Sequence, residues 1–168
     1  MPRPPQTKPT KPSAKKPGAK LALDAFLPYR LSVLAETVSR VFARHYEEKF
    51  GLTIPEWRVI AVIGENGKQT TQAVIDRTRM DRVRVSRAVI RLADKGLIKR
   101  TTDPDDARAL ILELRATGRE IYRKIIPLAV SMQDTLAHTL TADEGRQLDR
   151  LLTKLDRSAR ILEGDKPD

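Results

Sequence analysis

The chain has 168 residues, 32 basic against 22 acidic, for a net charge of +10, and it contains no cysteine. That length suits one domain with a tail, the absence of thiols excludes disulfides, thiolate metal sites and thiol redox sensing, and the basic excess favours a polyanionic partner. No run of 18 apolar residues exists to span a membrane and the N-terminus lacks the apolar core of a secretory signal, so a cytoplasmic location is expected.

Residues 1–20 hold Arg3, Lys8, Lys11, Lys15, Lys16 and Lys20 and no acid. More than half of the net charge therefore sits there, and the remainder of the chain is only mildly basic. The segment is rich in Pro, Lys, Thr and Ser with almost nothing apolar. It cannot offset the entropy of ordering itself and is expected to be a disordered tail. It reads either as a solubilising tail or as an arm adding non-specific phosphate contacts.

Residues 24–49 predict a long helix, with Leu27, Leu31, Leu34, Val38, Val41 and His45 on one face and Phe42 and Tyr46 widening it. Pro28 is tolerated because it lies near the start. His45 on the apolar face is either a packed residue or a ligand contact. Gly51 ends the helix. Thr53-Ile54-Pro55-Glu56 opens the next one with a capping box and an early proline. Trp57, Val59, Ile60 and Ile63 face inward. Trp57 is the sole tryptophan and reads as core or as one wall of a pocket, because its indole N–H wants a partner. Residues 64–67 read as a loop.

Residues 70–114 are the centre of the chain. Residues 70–78 read as a short helix capped by Thr70 or Thr71, with Val74 and Ile75 inward. Arg79-Met80-Asp81 is a tight connection into a second helix. Asp81 is its N-cap, and Met80 and Val85 occupy the positions of a hydrophobic staple. Val85, Val89 and Leu92 form the inward stripe. At about 100° per residue, Val83, Arg87 and Ile90 point the other way, flanked by Arg84, Ser86 and Arg91. A basic face of this kind is either merely solvated or reads major-groove edges, where arginine suits guanine and an apolar tip suits the thymine methyl. The neighbours favour the second reading. Two helices joined by a short turn, the second basic and outward-facing, fit helix-turn-helix. Gly96 ends the second helix. Leu97-Ile98-Lys99-Arg100 and the alternation of Leu110, Leu112 and Leu114 read as two strands around a turn-rich loop, which makes a wing.

After the wing, Thr117-Gly118-Arg119-Glu120 offers another capping box. Ile121, Ile125, Leu128, Met132 and Leu136 form the stripe of a long helix that Pro127 should bend. Thr141-Ala142-Asp143-Glu144 caps a last helix carrying Leu148, Leu151, Leu152, Leu155 and Leu162 at helical spacing. The first and last two helices have no sheet to pack on, so they are expected to pack on each other and on a second copy.

Residues 51–126 resemble the MarR family of bacterial winged-helix regulators. The resemblance is carried by Trp57, Met80-Asp81, Val85-Ser86-Arg87, Lys95-Gly96-Leu97-Ile98, Asp106-Ala107-Arg108, Leu114 and Gly118. Two positions depart from the family pattern. Ala107 replaces a wing arginine, and Arg115 stands where a capping threonine is usual, a role that Thr117 is expected to take over.

The resemblance implies a mainly α fold: a winged helix-turn-helix with a small β-hairpin wing at residues 53–115, and a helical dimerisation region at 21–50 and 117–163, together one domain over 21–163. It implies a homodimeric regulator, a repressor, on double-stranded DNA with a pseudo-palindromic operator whose half-sites lie about 10 bp apart. The expected DNA contacts are Thr70 and Thr71 on the shorter helix, Arg82, Val83, Arg84, Ser86, Arg87 and Arg91 on the recognition helix, and Asp106 and Arg108 at the wing. Arg108 is the expected minor-groove arginine, favoured by narrow A·T tracts. The implied effector is a small aromatic carboxylate or an aromatic acyl-CoA thioester, lined by Tyr29, Arg30, His45, Tyr46, Trp57 and Tyr122, each of which also reads as packing or solvated surface. No cofactor, metal or membrane is expected. A non-specific architectural DNA-binding protein without an effector is the competing reading. An enzyme is disfavoured: there is no Gly-rich phosphate loop, the histidines are His45 and His138 alone, and a turn around Pro104 explains Asp103, Asp105 and Asp106.

Overall fold

The computed structural model describes residues 21–164; the basic tail expected at 1–20 lies outside them. The described residues divide into two units, at residue 38. In the first, a 3-10 turn (Leu23–Ala25) precedes α1 (Leu27–Phe50). The helix expected from residue 24 is thus interrupted. Phe26 is extended (φ −82°, ψ 107°) and its N–H closes the turn on the Leu23 carbonyl at 3.0 Å. The helix restarts at Leu27 so that Pro28, which has no N–H, falls in the first turn, where backbone donors are unpaired anyway.

The second unit begins with the last turns of α1, which Gly51 (φ +61°) terminates. Thr53 caps α2 (Ile54–Asn66), and the capping box with Glu56 is formed. This helix is a turn longer than the sequence suggests and ends at Gly67 (φ +75°). Gly64 is helical, and it is a glycine for another reason. A Cβ there would meet the Tyr122 ring at 2.7 Å, so the bare backbone lets α5 (Ala116–Ala137) approach.

Then come β1 (Gln69–Thr70), α3 (Thr71–Thr78), α4 (Arg82–Asp94), β2 (Ile98–Thr102), β3 (Leu110–Leu114), α5 and α6 (Ala142–Glu163). The three strands form an antiparallel sheet in the order β1-β3-β2, with Thr70 opposite Ile111 and Arg100 opposite Leu112. The two-residue β1 is too short to leave a periodic signal in the sequence. Fully buried Val59 and Ile60 from α2, Val74 from α3, Val85 and Leu92 from α4, Ile98 and Leu112 from the sheet and Ile125 from α5 make the core. Each such side chain contributes about 1.5–3 kcal/mol.

The start of α5 departs from expectation. Arg115 is its N-cap residue without a side-chain cap, and Thr117 does not cap. The Thr117 hydroxyl instead donates to the Gly96 carbonyl at 2.8 Å, and Glu120 pairs with Lys124 at 2.8 Å. Capping is displaced because this helix end is already fastened: the Arg115 N–H donates to the Leu97 carbonyl at 2.9 Å. The box at Thr141 and Glu144 forms as the sequence suggests. Pro127 lies inside α5. No residue of α6 is buried, and Leu148, Leu151, Leu152 and Leu162 stand exposed along it.

Candidate nucleic-acid interface

The recognition helix is built by three local devices. Arg79, in the left-handed region (φ 54°), turns the chain sharply after α3, and its N–H donates to the Ile75 carbonyl at 2.9 Å. The Asp81 carboxylate accepts the Arg84 N–H at 2.8 Å and caps α4. Gly96 (φ +69°) and Leu97 close the far end, donating to the Ala93 and Leu92 carbonyls, each at 2.9 Å; this is a Schellman ending, with Leu92 and Leu97 both buried.

Between these ends the two faces separate as the periodicity requires. Val85, Ala88, Val89 and Leu92 are buried, while Val83 is 57% and Ile90 45% exposed. Arg82, Arg84, Ser86, Arg87 and Arg91 are all exposed. Their engagements differ. Arg82 donates to the Gln72 side chain of α3 at 3.1 Å, and Gln72 in turn donates to Asp76 at 2.8 Å. Arg84 pairs with its own N-cap Asp81 at 3.2 Å. Ser86, Arg87 and Arg91 have no side-chain partner among the described residues, which leaves their groups available to a ligand.

Thr70 and Thr71 have structural duties. The Thr70 hydroxyl caps α3 by accepting the Ala73 N–H at 3.1 Å, and Thr71 reaches the Leu110 carbonyl at 3.4 Å. At the wing, the Asp106 carboxylate accepts the Arg108 N–H at 2.9 Å, and the Asp106 carbonyl accepts the Ala109 N–H at 2.9 Å. Asp106 therefore shapes the turn that presents the exposed Arg108. Sequence reasoning missed Gln72, whose role depends on Arg82 ten residues away, and the exposed Lys99 and Arg100 on β2. The run of charged and polar residues after Ile98 was the available signal for the latter, since four successive β2 residues are exposed.

The expected effector residues of each unit have their own surroundings. Tyr46 is 1% exposed and its ring lies 4.9 Å from that of Trp57, with Phe42 edge-on at 6.2 Å. Burial pushes the Tyr46 hydroxyl pKa up, so it stays neutral. His45 is half-buried and its ring nitrogen bonds the Val41 carbonyl of its own helix at 2.9 Å. Tyr29 and Arg30 line an open groove of the first unit with Asp24, Leu27 and Leu34. Tyr122 lines a separate cleft of about 370 Å³ with Gly64, Lys68, Glu113, Arg119 and Arg123. Lys68 pairs there with Glu113 at 3.4 Å. The basic residues of that cleft come from α5 and the turn before β1, a juxtaposition that spacing along the chain does not announce. Among the described residues no cluster of metal-ligating side chains occurs, and no helix is long and apolar enough to cross a membrane.

Comparison with known proteins agrees with this geometry. A model of the MarR family matches residues 50–109. The transcriptional regulator HosA of Escherichia coli O111:H- is 26% identical over 113 residues, covering 67% of this chain and 84% of that protein. The crystal structure of a MarR/EmrR family transcriptional regulator from Acinetobacter sp. ADP1 superposes with a TM-score of 0.77 at 26% identity, over 84% of this chain and 99% of that one. Bordetella bronchiseptica BpsR, whose DNA binding is regulated by 6-hydroxynicotinic acid, shares the fold at 20% identity and a TM-score of 0.74, over 82% of this chain and 98% of its own. These relatives are regulators rather than enzymes. A helix-turn-helix with an exposed basic face, a wing that presents an arginine, and relatives that match both in sequence and in shape converge: the chain is similar to the MarR family of winged-helix transcriptional regulators that bind DNA, matching that family's model over residues 50–109.

Proposed function

We propose that this protein is a cytoplasmic, homodimeric repressor that reads an inverted-repeat operator and leaves it when a small aromatic carboxylate binds. The observation that carries the DNA reading is the outward face of α4, where Ser86 and Arg87 are exposed and, among the described residues, without side-chain partners beside apolar Val83. Exposed Val83 between arginines suits a major-groove reader, because thymine presents a methyl group there. Ser86, Arg84 and Arg87 meet base edges, Arg82 and Arg91 meet phosphates, and Arg108 enters the minor groove. Dimerisation through residues 21–50 and 117–163 is supported by α6, no residue of which is buried within one chain. Two copies place two recognition helices on successive major grooves of DNA.

The effector class is supported by the cleft at Tyr122. It offers an aromatic wall, three cations from Lys68, Arg119 and Arg123 against the single acid Glu113, and about 370 Å³. That volume suits a small aromatic acid better than an acyl-CoA thioester. BpsR, which shares the fold, responds to a heteroaromatic carboxylic acid. Such a ligand releases DNA only if it favours one arrangement of the recognition helices over another.

The test is fluorescence anisotropy on labelled DNA from upstream of the protein's own gene, at fixed salt with random DNA as competitor. A panel of aromatic acids and their CoA thioesters is added in turn. Binding that resists the competitor and is released by one compound is the expected result. Equal competition by random DNA and indifference to every compound would favour an architectural protein instead.

A further inference from the structure

Among the described residues Glu56 is the only charged side chain that is buried, at 1% exposure. Its capping duty does not explain this. Its Oε2 accepts the Thr53 N–H at 2.7 Å and the Thr53 hydroxyl at 2.9 Å. The same box at Thr141 uses the exposed Glu144 in the same two bonds, so a cap needs no burial. The difference is Oε1 of Glu56, which receives the Lys95 ammonium at 3.0 Å.

Lys95 is the residue that ends the recognition helix. Its Nζ also donates to the Gly51 carbonyl, at 2.7 Å, where α1 stops. One ammonium thus joins the end of α1, the start of α2 and the end of α4. The next three residues are held from the other side by the start of α5. The Gly96 carbonyl accepts from the Thr117 hydroxyl at 2.8 Å. The Leu97 carbonyl accepts the Arg115 N–H at 2.9 Å and lies against the bare Cα of Gly118, where a Cβ would strike it. The Ile98 carbonyl accepts Arg115 Nε at 3.3 Å.

We propose that Lys95, through Glu56 and the Gly51 carbonyl, is a positioning residue for DNA reading, fixing the tilt of α4 against the ends of α1 and α2. The inference rests on α4 being the helix that reads DNA. Leverage gives it weight. Arg84 lies about 16 Å along the axis from Lys95 at 1.5 Å per residue, and a tilt of about 6° about the helix end displaces it by roughly 1.7 Å. Binding groups tolerate only about 0.5 Å of misplacement. Phosphate contacts are less exacting, so loosening the joint should cost sequence reading more than general affinity.

The experiment uses the full chain and a labelled duplex that the wild-type protein enriches from a randomised pool, beside a random duplex of equal length. Lys95→Met, Glu56→Gln and Lys95→Arg are compared at a temperature where circular dichroism shows each folded, with active fractions set by stoichiometric titration. Lys95→Met and Glu56→Gln are each expected to weaken binding to the enriched duplex about tenfold and to the random duplex by no more than about twofold. Lys95→Arg, which keeps the charge and has donors enough for both oxygens, should restore most of the loss. Glu56→Gln keeps the lysine charge and the shape of the cap, so it separates positioning from a direct phosphate contact and carries the test where Lys95→Met does not fold. Equal loss on both duplexes, or no loss on either, overturns the proposal. A wild-type protein that enriches no sequence overturns the DNA reading itself, and this inference with it.

Discussion

Arg82, Arg84 and Arg87 look equivalent in the sequence and differ in the fold. Arg82 is committed to Gln72 and Arg84 to Asp81, while Arg87 has no side-chain partner among the described residues. Binding DNA through Arg84 means exchanging an exposed ion pair, which is worth at most about 1 kcal/mol; Arg87 gives up nothing comparable. Arg87→Ala should therefore cost about 1–3 kcal/mol on the operator and relax the preference at one base pair. Arg82→Ala should weaken all sequences alike. Affinities of both variants across a set of single-base operator changes check this, and a uniform loss for Arg87→Ala would remove it from base reading. Which residues face outward was legible in the sequence, because a helix writes its faces into a local period. Which of them are already engaged was not, because Gln72 belongs to another helix.

At the scale of elements, the helix ends carry the organisation. The caps at Thr53, Asp81 and Thr141 were legible, since each is a motif of four adjacent residues. The joint around residues 95–98 was not: Lys95 and Glu56 are 39 residues apart and Thr117 and Gly96 are 21 apart. The expected cap at Thr117 fails for the same reason, its hydroxyl being drawn to a distant carbonyl. Glu56 makes the joint sensitive to acid. Burial raises its pKa, but the Thr53 N–H, the Lys95 ammonium and the Thr53 hydroxyl together outweigh that and hold it below the ordinary carboxylate value. A group whose folded pKa is depressed contributes stability above its unfolded pKa, about 4.3, and that stability is lost as pH falls towards the folded value. Melting temperature should thus decline on acidification below about pH 5, and Glu56→Gln should flatten part of that decline. An identical pH profile for the two proteins would mean that Glu56 titrates alike in the folded and unfolded chain.

For the molecule as a whole, α6 is the open account. A helix of 22 residues with no buried side chain and a row of exposed leucines does not persist in water on propensity alone; tertiary or quaternary packing is what holds such helices. Its leucine spacing was plain in the sequence, but a single chain shows only what the stripe lacks. The proposed dimer predicts that the wild-type protein sediments as a dimer at micromolar concentration and that Leu151→Glu or Leu152→Glu shifts it to monomer. Operator affinity should fall by about a hundredfold as the second recognition helix ceases to be tethered. A variant that sediments as a monomer and still binds with wild-type affinity would mean that one winged helix suffices.

The proposed contact of exposed Val83 with a thymine reaches beyond the identity of the bases. An apolar tip packed on a C5 methyl group recognises the methyl, whichever pyrimidine carries it. Replacing thymine by uracil under Val83 should weaken the complex, and 5-methylcytosine at the same place should recover part of the loss. An operator read in this way is open to the host's DNA methylation, so a chemical mark laid down at replication could adjust how tightly this regulator sits without any change in the genetic text.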